Sequence, residues 1–372
     1  MDVVRVLHVV ESAAGGVARY LADLLPLQKA DGFDVTVLYS PGRTDSAWNR
    51  AEATLREAQV PLVPFEMRRP VGARDLADAM RLRRWIRGQG PFDILHAHSS
   101  KAGALVRLAF PRRRATVYTP NAFATMSPTI GRRARATYAT FERLLARAPG
   151  VTLVVSEDEL AHARGLRLPE SRLRLVPMGV PIRPTGDRAI ARETLGLAPD
   201  ATAVGFVGRF WDQKDPATAV RAFARWGGEG TLVMIGYGEG EREVRAVAQA
   251  EGVSDRLRIV LDGDAPALMP AFDALLLTSR YESFGYVLLE AVVNGVPCAS
   301  TPVGIATSLA EAGGASLFPI GDAEAAAQSL KWALDPALRN ERRAAAERSA
   351  RLFSDDAMHL GVKRVYAELQ SP

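Results

Sequence analysis

The chain has 372 residues, 48% hydrophobic and 24% charged, as expected of a globular protein with room for two domains of about 150 to 200 residues each. The sequence contains no run of about 20 apolar residues, which is the length needed to span a bilayer. The first residues also lack the order of a signal peptide, in which a basic segment precedes an apolar one. The single cysteine, Cys298, excludes an intrachain disulfide framework and a cysteine-rich metal site, so we expect a cytoplasmic protein with a buried core cysteine.

Short apolar runs alternate with longer helical patterns along the first half of the chain. The predicted strands cover residues 4–10, 34–39, 61–65, 94–96, 115–118, 152–155 and 173–176. Helical periodicity separates several of them, at residues 17–29, 73–87, 102–110 and 133–147. This alternation is typical of βαβ units with a parallel sheet.

Turn residues then crowd into residues 177–186, which we interpret as a linker. Strand patterns resume at residues 203–207, 231–235, 257–261, 274–277, 297–301 and 316–318. The remainder is predicted to be helical, at residues 322–334, 336–353 and 354–370. The sequence thus predicts an α/β fold with two doubly wound Rossmann-like domains, 1–180 and 181–353, facing a central cleft, followed by a C-terminal helix in 354–372.

Positive charge is concentrated in the first domain. Residues 1–180 hold 27 of the 47 basic residues but 17 of the 42 acidic ones. The arginines form clusters interleaved with aromatic residues, at Arg81, Arg83, Arg84, Arg87, Arg112 to Arg114, Arg132, Arg133, Arg135, Arg143 and Arg147. Nucleic acid, an anionic membrane surface, an anionic acceptor, or simply solvated helix faces would each explain this pattern.

In the second domain two cations follow the first predicted strand. Arg209 and Lys214 lie on either side of a short loop that opens a helix, although a cation is disfavoured at a helix N-terminus. A guanidinium, an ammonium and free helix amides can converge there on a diphosphate. Glycines Gly236 and Gly238 after the next strand would let the backbone approach a ligand, which is weak evidence because a tight turn also uses glycine.

Two glutamates flank the start of a later helix. Glu282 follows the strand at 274–277, and Glu290 lies within the helix introduced by Phe284 and Gly285. Carboxylates accept hydrogen bonds from sugar hydroxyls, and helix amides favour phosphate. Glu290 is surrounded by apolar residues, so we expect it to be partly buried and to need hydrogen-bond donors.

The ordered set Gly208-Arg209, Lys214, Gly236-x-Gly238, Ser279-Arg280-x-Glu282 and Glu282-x7-Glu290 resembles the group 1, or family 4, retaining glycosyltransferases. That resemblance implies the GT-B fold, no essential metal or cofactor, and a nucleotide-sugar donor such as a UDP- or GDP-sugar. It also implies a C-terminal helix that crosses back to the first domain.

The resemblance also implies roles for individual residues. Arg209, Lys214 and Glu282 would be the catalytic set, with the two cations on the donor diphosphate and Glu282 on the transferred sugar. Glu290 would hold the ribose hydroxyls. The other donor-binding positions implied are Gly15, Gly16, Gly236, Gly238, Ser283, Phe284, Gly285 and Tyr286.

Acceptor-side residues are expected in the first domain. His98 ends a strand and is expected to face the cleft, whereas His96 is expected to pack on the strand. Asn121 stands where many relatives have a histidine, so it can position a hydroxyl but cannot act as a general base. The linker reads Met178-Gly179 where relatives usually have Asn-Gly.

We interpret the sequence as that of a retaining hexosyltransferase whose acceptor is a glycan or a polyprenyl-diphosphate-linked glycan. We expect it to act in cell-surface polysaccharide (exopolysaccharide) synthesis, at the inner face of the membrane. Two alternatives stay open, a sugar-nucleotide epimerase on the same fold and a nucleic-acid-binding protein. The sequence has no zinc finger, no evident recognition helix and no RNA-binding aromatic motif, so we expect no nucleic acid among the partners of this protein. A dehydrogenase is disfavoured because the first strand leads into Glu11-Ser-Ala-Ala-Gly-Gly16 and not G-x-G-x-x-G.

Overall fold

A computed structural model describes residues 3–67, 74–261 and 263–370. The chain forms two compact units. The N-terminal unit runs to Pro181 and is completed by the segment from Asp355 onward, and the C-terminal unit runs from Ile182 to Ser354.

The N-terminal unit is built on a seven-stranded sheet in which every neighbouring pair is parallel, in the order β3-β2-β1-β4-β5-β6-β7. Its strands are β1 Arg5–Val10, β2 Asp34–Tyr39, β3 Leu62–Pro64, β4 Ile94–His98, β5 Thr116–Thr119, β6 Val151–Val154 and β7 Leu173–Leu175. Its helices are α1 Gly15–Ala30, α2 Ser46–Glu57, α3 Arg74–Gly88, α4 Ser100–Ala109, α5 Arg132–Leu145 and α6 Glu157–Gly165, together with the last helix of the chain, α15 Asp355–Gln370.

The C-terminal unit repeats the plan with a six-stranded parallel sheet, in the order β10-β9-β8-β11-β12-β13. Its strands are β8 Ala203–Val207, β9 Thr231–Ile235, β10 Leu257–Val260, β11 Ala274–Leu277, β12 Cys298–Ser300 and β13 Ala315–Leu317. Its helices are α7 Arg188–Thr194, α8 Pro216–Trp226, α9 Glu241–Ala250, α10 Ala265–Leu268, α11 Tyr286–Val293, α12 Ala306–Glu311, α13 Ala323–Ala333 and α14 Arg339–Ala350.

The sequence predicts this α/β class correctly because strands buried on both faces appear as continuous apolar runs. The strand at residues 274–277 is one example, and all four of its side chains are buried. Cys298 is also buried, in β12, as expected. The helix predicted at 73–87 is α3, although residue 73 lies outside the described residues.

Three helical predictions need correction. The sequence does not predict α2, because only three of its twelve residues, Trp48, Ala51 and Leu55, are buried and most of the others are polar. The nine-residue helix α6 is also not predicted, because it is short and the only apolar side chains it buries are Leu160 and Ala163. The single helix predicted at 336–353 is a 3₁₀ turn at Pro336–Leu338, then α14, then a second 3₁₀ turn at Arg351–Phe353.

A glycine inside α4 gives a direct test of packing in the N-terminal unit. A Cβ atom at Gly103 would lie 2.3 Å from Cδ2 of the Tyr118 ring on β5. Gly103→Ala should therefore lower the free energy of unfolding by about 1–3 kcal/mol through overpacking, although alanine is the better helix former. Thermal or urea unfolding would measure the change.

Gly165→Ala is the matched control, because Gly165 also lies in a helix of this unit and a Cβ there meets nothing within 4 Å. We expect its unfolding midpoint to equal or exceed that of the wild type. A Gly103→Ala variant as stable as Gly165→Ala would contradict the packing described.

Candidate active site

Each sheet has one point at which the chain reverses the direction of strand addition. In the C-terminal unit this topological switch point lies between β8 and β11. The loops that leave these neighbouring strands run in opposite directions, which opens a crevice at the carboxyl ends of the strands. These two loops, residues 208–215 and 278–285, are called the C-terminal switch loops below, and they contain Arg209, Lys214 and Glu282.

The C-terminal switch loops are joined by hydrogen bonds. The Thr278 hydroxyl oxygen lies 2.8 Å from the carbonyl oxygens of both Lys214 and Asp215. The Arg280 amide donates to the Gln213 carbonyl at 2.7 Å, and Gln213 Nε2 donates to the Tyr281 carbonyl at 3.2 Å. Bonds in both directions fix the two loops as one rigid element.

Lys214 and Glu282 form an ion pair within this element. Lys214 Nζ lies 2.5 Å from Glu282 Oε1, and the Ser279 hydroxyl donates to the same oxygen at 2.7 Å. The two side chains are only 16% and 11% exposed, so Lys214 is not an ordinary surface charge. Removing one member of such a pair leaves the other charge buried without its partner.

Arg209 lies in the same loop, but it has no carboxylate partner among the residues that the structure describes. Its guanidinium carbon is 4.1 Å from the centroid of the Trp211 ring, and that ring is 44% exposed. The interaction is a cation–π contact at a solvent-accessible position. A cation–π contact with the ring face does not use the N–H groups of the guanidinium, so these can still donate to a ligand.

The glycines after β9 are required first by backbone packing. A Cβ at Gly236 would lie 2.0 Å from the Gly208 carbonyl oxygen, and one at Gly238 would lie 2.9 Å from the Trp211 ring. Gly208 donates its amide to the Ile235 carbonyl at 3.0 Å. The loops after β8 and β9 thus pack backbone to backbone, which places Gly236 and Gly238 beside the Arg209 loop.

The start of α11 is open. Its N-cap, Gly285, has φ +88°, and no side chain caps the helix. The Phe284 carbonyl accepts the Ile305 amide at 2.9 Å, so the preceding turn is held from the next loop. This first turn, with Tyr286 as the first helical residue, follows Glu282 and Ser283 directly, and a helix start without a side-chain cap favours an anion.

Glu290 is buried, as the apolar residues around it predicted. Its side chain is on the fifth residue of α11, and the whole residue is 8% exposed. Asn294 Nδ2 donates to its carbonyl oxygen at 2.8 Å. The spacing E-x7-E therefore puts one carboxylate before α11 and one on its second turn.

The start of α8 differs from the expectation of free helix amides near Lys214. Asp215 is the N-cap, with φ +47°, and its side chain accepts a hydrogen bond from the Thr218 amide at 3.4 Å. Pro216 follows and has no N–H to offer. Asp215 is also paired with Arg280 at 3.0 Å, so the open helix start at this crevice is that of α11 and not that of α8.

The N-terminal unit has its own switch point, between β1 and β4. The loop after β1 contains Gly15 and Gly16, and the Gly15 amide donates to Asp45 Oδ2 at 3.0 Å. Asp45 also caps α2 through the Ala47 and Trp48 amides. The glycine loop is therefore held by Asp45, which sequence reasoning missed because α2 itself was missed.

His98 differs from the expectation of a cleft-facing ring. It is fully buried in a cluster with His8 and His96, and the ring centroids of the three are 4.2 to 5.3 Å apart. His98 Nε2 lies 2.9 Å from His8 Nδ1, and His96 Nδ1 lies 2.7 Å from the Tyr366 hydroxyl. Burial lowers the pKa of all three, which favours neutral rings that tie β1 and β4 to α15.

Three residues at the same edge of this sheet are left-handed although they are not glycine. They are Ser99 after β4, with φ +86°, and Asn121 and Ala122 after β5, with φ +52° and +77°. For alanine this conformation costs about 1–2 kcal/mol. The Ala122 amide donates to Glu159 of α6, and burial raises the pKa of Glu159 to about 7.

Sequence reasoning missed Glu159 along with α6. The usable signal was Ser156 followed three residues later by Glu159, which is the spacing of a capping box. Ser156 does accept the Glu159 amide at 3.1 Å. Instead of returning to the cap residue, the glutamate accepts hydrogen bonds from Val155 and Ala122.

Comparisons with known proteins agree with the predicted family. The family described as glycosyl transferase 4-like domain matches residues 15–179, and the family described as glycosyl transferases group 1 matches residues 187–352. The second match includes both strands of the C-terminal switch point, β8 and β11, and the first begins at the glycine loop after β1. A sugar-nucleotide epimerase is not supported, since both matches are to glycosyltransferases.

Similar proteins carry the same activity in their names. The chain is 30% identical to D-inositol 3-phosphate glycosyltransferase of Acidothermus cellulolyticus, over 95% of this chain and 86% of the relative. It is 28% identical to UDP-Gal:alpha-D-GlcNAc-diphosphoundecaprenol alpha-1,3-galactosyltransferase of Escherichia coli, over 56% of this chain and 57% of the relative.

The fold is shared with solved glycosyltransferase structures. Anabaena HepE, crystallised in complex with UDP and glucose, superposes with a TM-score of 0.82 at 19% identity, over 98% of this chain and all of that one. The parallel sheets of both units thus have the GT-B arrangement of strands. The chain belongs to the group 1 glycosyltransferases, enzymes that transfer sugar from a nucleotide sugar.

Proposed function

We propose that this glycosyltransferase retains the anomeric configuration of its donor and moves a hexose-type sugar from a UDP- or GDP-sugar to a glycan or lipid-linked glycan in cell-surface polysaccharide synthesis. The observation that carries the proposal is the buried Lys214–Glu282 pair at the C-terminal switch point. A cation and a carboxylate at this position fit a ligand that is part diphosphate and part sugar.

The two cations are proposed to hold the donor diphosphate. An ammonium has three N–H donors, and the Glu282 contact uses one of them, so Lys214 can still donate to phosphate oxygens. Glu282 also orients Lys214 before the donor arrives. Arg209, free of any carboxylate within the described ranges, can bind phosphate through its guanidinium fork.

Glu282 and Glu290 are proposed to bind hydroxyl groups at the two ends of the donor. Glu282, next to Lys214, would accept from the transferred sugar, and Glu290, farther along α11, would accept from the ribose. The first turn of α11, which no side chain caps, lies between them in sequence, and the start of a helix favours a diphosphate. This order follows the chemical order of sugar, diphosphate and ribose.

The proposed reaction is a front-face substitution. The acceptor hydroxyl oxygen forms a bond to the anomeric carbon as the bond from that carbon to the phosphate oxygen breaks. The bonding electrons leave with the nucleotide diphosphate, and the hydroxyl proton moves to a phosphate oxygen. Arg209 and Lys214 stabilise the charge that develops on the phosphate, so no general base is needed where Asn121 replaces histidine.

The acceptor is proposed to carry phosphate. The Acidothermus relative is named for inositol 3-phosphate, and the Escherichia coli relative for a sugar on diphosphoundecaprenol. A Bacillus subtilis relative is named putative glycosyltransferase EpsF, which supports a role in polysaccharide assembly. The excess of basic residues in the N-terminal half suits an anionic acceptor.

The donor class and the stereochemistry can be tested together. In a thermal-shift screen with UDP, GDP and ADP, we expect UDP or GDP to raise the unfolding midpoint, because only the matching base fills its pocket. The matching sugar nucleotide is then supplied with D-inositol 3-phosphate or a lipid-diphosphate GlcNAc. NMR of the product should show the donor's anomeric configuration, and inversion would contradict the proposal.

Variants of the C-terminal switch loops test the assigned roles. Arg209→Ala and Lys214→Ala should each lower kcat/KM by about a hundredfold to a thousandfold, because each removes charge that stabilises the leaving diphosphate. Glu282→Ala should reduce transfer more than it reduces UDP or GDP affinity. Steady-state kinetics and nucleotide titration provide both numbers.

The matched control is Arg245→Ala in α9, whose exposed side chain pairs with Glu241 in the same unit. It should leave kcat/KM unchanged, and circular dichroism should show all four variants folded. Full activity of Arg209→Ala or Lys214→Ala would reject the diphosphate assignment.

We also propose that α5 contacts an anionic membrane. It exposes Phe141 and Leu144, 46% and 51% exposed, beside exposed arginines at 132, 133, 135, 143 and 147. Its one acidic residue, Glu142, is buried and paired with Arg107 at 3.1 Å. Exposed apolar groups among cations suit a lipid surface better than nucleic acid. No helix in the described ranges is long and apolar enough to cross a bilayer.

Vesicle co-sedimentation tests the α5 surface. The wild type should sediment with phosphatidylglycerol vesicles but not with phosphatidylcholine vesicles, and about 0.5 M salt should release it because exposed charges are screened. Phe141→Ser with Leu144→Ser should weaken binding. Leu360→Ser on α15, 49% exposed in the same unit, is the control. Equal binding to neutral vesicles, or binding to RNA in a gel shift instead, would oppose the proposal.

A further inference from the structure

The turn after β5 is held in an unusual conformation. Asn121 and Ala122 are consecutive left-handed residues, and Ser99, after the neighbouring β4, is also left-handed. The Ser99 amide and Asn121 Nδ2 both donate to the Thr119 carbonyl, at 3.1 and 3.4 Å. Strain of this kind persists only where surrounding groups hold it, and it is concentrated at functional sites.

Glu159 is the group that holds this turn. It is fully buried, its Oε1 accepts the Ala122 amide at 2.8 Å, and its Oε2 accepts the Val155 amide at 2.9 Å. No cation pairs with Glu159 within residues 3–67, 74–261 and 263–370. The bonds shown for this buried carboxylate all go to the backbone, and one of them ends on the strained turn.

The same helix grips the turn at a second point. His162, three residues after Glu159 on α6, lies 2.7 Å from the Thr125 hydroxyl through Nε2. Its ring also packs on Phe123, with centroids 5.6 Å apart. Two contacts, one helical turn apart, therefore set the position of residues 121–125 relative to α6.

The turn leaves one polar atom unused. Asn121 Nδ2 donates to Thr119, whereas Asn121 Oδ1 is buried with no hydrogen-bond partner in the part of the chain that the structure describes. A buried acceptor without a donor is costly, so such an atom calls for an explanation. An amide oxygen can accept a hydrogen bond from a hydroxyl group, and sugars and inositols carry several hydroxyl groups.

We propose that Glu159 is a positioning residue that fixes the Asn121–Ala122 turn so that Asn121 Oδ1 accepts a hydrogen bond from an acceptor hydroxyl. This inference rests on the proposed function, because the hydroxyl that Asn121 would contact belongs to the acceptor of the glycosyl transfer. Glu159 touches neither substrate. It acts through the backbone amide of Ala122, which neighbours the contacting residue.

Glu159→Gln tests the proposal with little change in shape. A glutamine has one acceptor oxygen, and its NH₂ group would face an amide donor, so one of the two bonds is lost. We expect kcat/KM for the acceptor to fall by about tenfold to a hundredfold, as for a misplaced contact. The acceptor in this assay is D-inositol 3-phosphate or the lipid-diphosphate GlcNAc, whichever of the two the wild type glycosylates. UDP or GDP affinity and hydrolysis of the donor by water should not change.

Two further variants separate positioning from a general loss of structure. Asn121→Ala should lower kcat/KM for the acceptor by the same factor. Adding Glu159→Gln to it should lower kcat/KM no further, because both substitutions remove the same contact between Asn121 and the acceptor. Glu159→Gln combined with Ala122→Gly should recover activity, because glycine adopts the left-handed conformation without strain. Glu157→Gln, exposed on the same first turn of α6, is the control.

The opposite results overturn the proposal. Equal losses in donor hydrolysis and nucleotide affinity, or additive losses in the double variant, would show that Glu159 is merely structural. If the wild type transfers sugar to neither probe, hydrogen exchange of residues 119–126 decides instead. Glu159→Gln should speed exchange there, and unchanged exchange would reject the positioning role. Failure of the wild type to bind any sugar nucleotide would instead reject the proposed function.

Discussion

The switch point of each parallel sheet is the constraint on which the rest of the structure depends. Strands added outward in both directions from β1 and β4, and from β8 and β11, force the loops between those pairs to separate. The carboxyl ends of each of these strand pairs therefore bear a crevice that follows from the topology itself. The loop glycines, the Lys214–Glu282 pair and the open start of α11 all lie at such a point in the C-terminal unit.

Two kinds of contact fix the loops at the C-terminal switch point, a buried ion pair and a close approach of backbone. Lys214 is buried enough to need a counter-ion, and Glu282 supplies it while its own carboxylate is held in place by the same pair. Gly208 and Gly236 allow two loops to approach backbone to backbone, which brings the Arg209 loop against the turn after β9. The site is therefore pre-organised by contacts that the protein makes with itself.

The N-terminal unit is fixed by buried polar groups of a different kind. Neutral histidines 8, 96 and 98 and the Tyr366 hydroxyl join β1 and β4 to α15, and Arg107 with Glu142 joins α4 to α5. Glu159 holds a strained turn at the edge of the same sheet. Among the described residues at that edge, Asn121 Oδ1 is a buried acceptor without a hydrogen-bond partner.

The sequence alone determined the repeated parallel α/β plan, several strand limits to the residue and the family, because apolar period and motif order are local properties. It also predicted that Glu290 would be buried. Only the tertiary structure decided that Lys214 pairs with Glu282, which is 68 residues away in the sequence. It also decided that Asp215 is the N-cap of α8 and that His98 is buried. It alone joined Glu159 to Ala122. Contacts of this kind depend on which strands are neighbours and where their loops turn, and no local pattern in a single sequence encodes that.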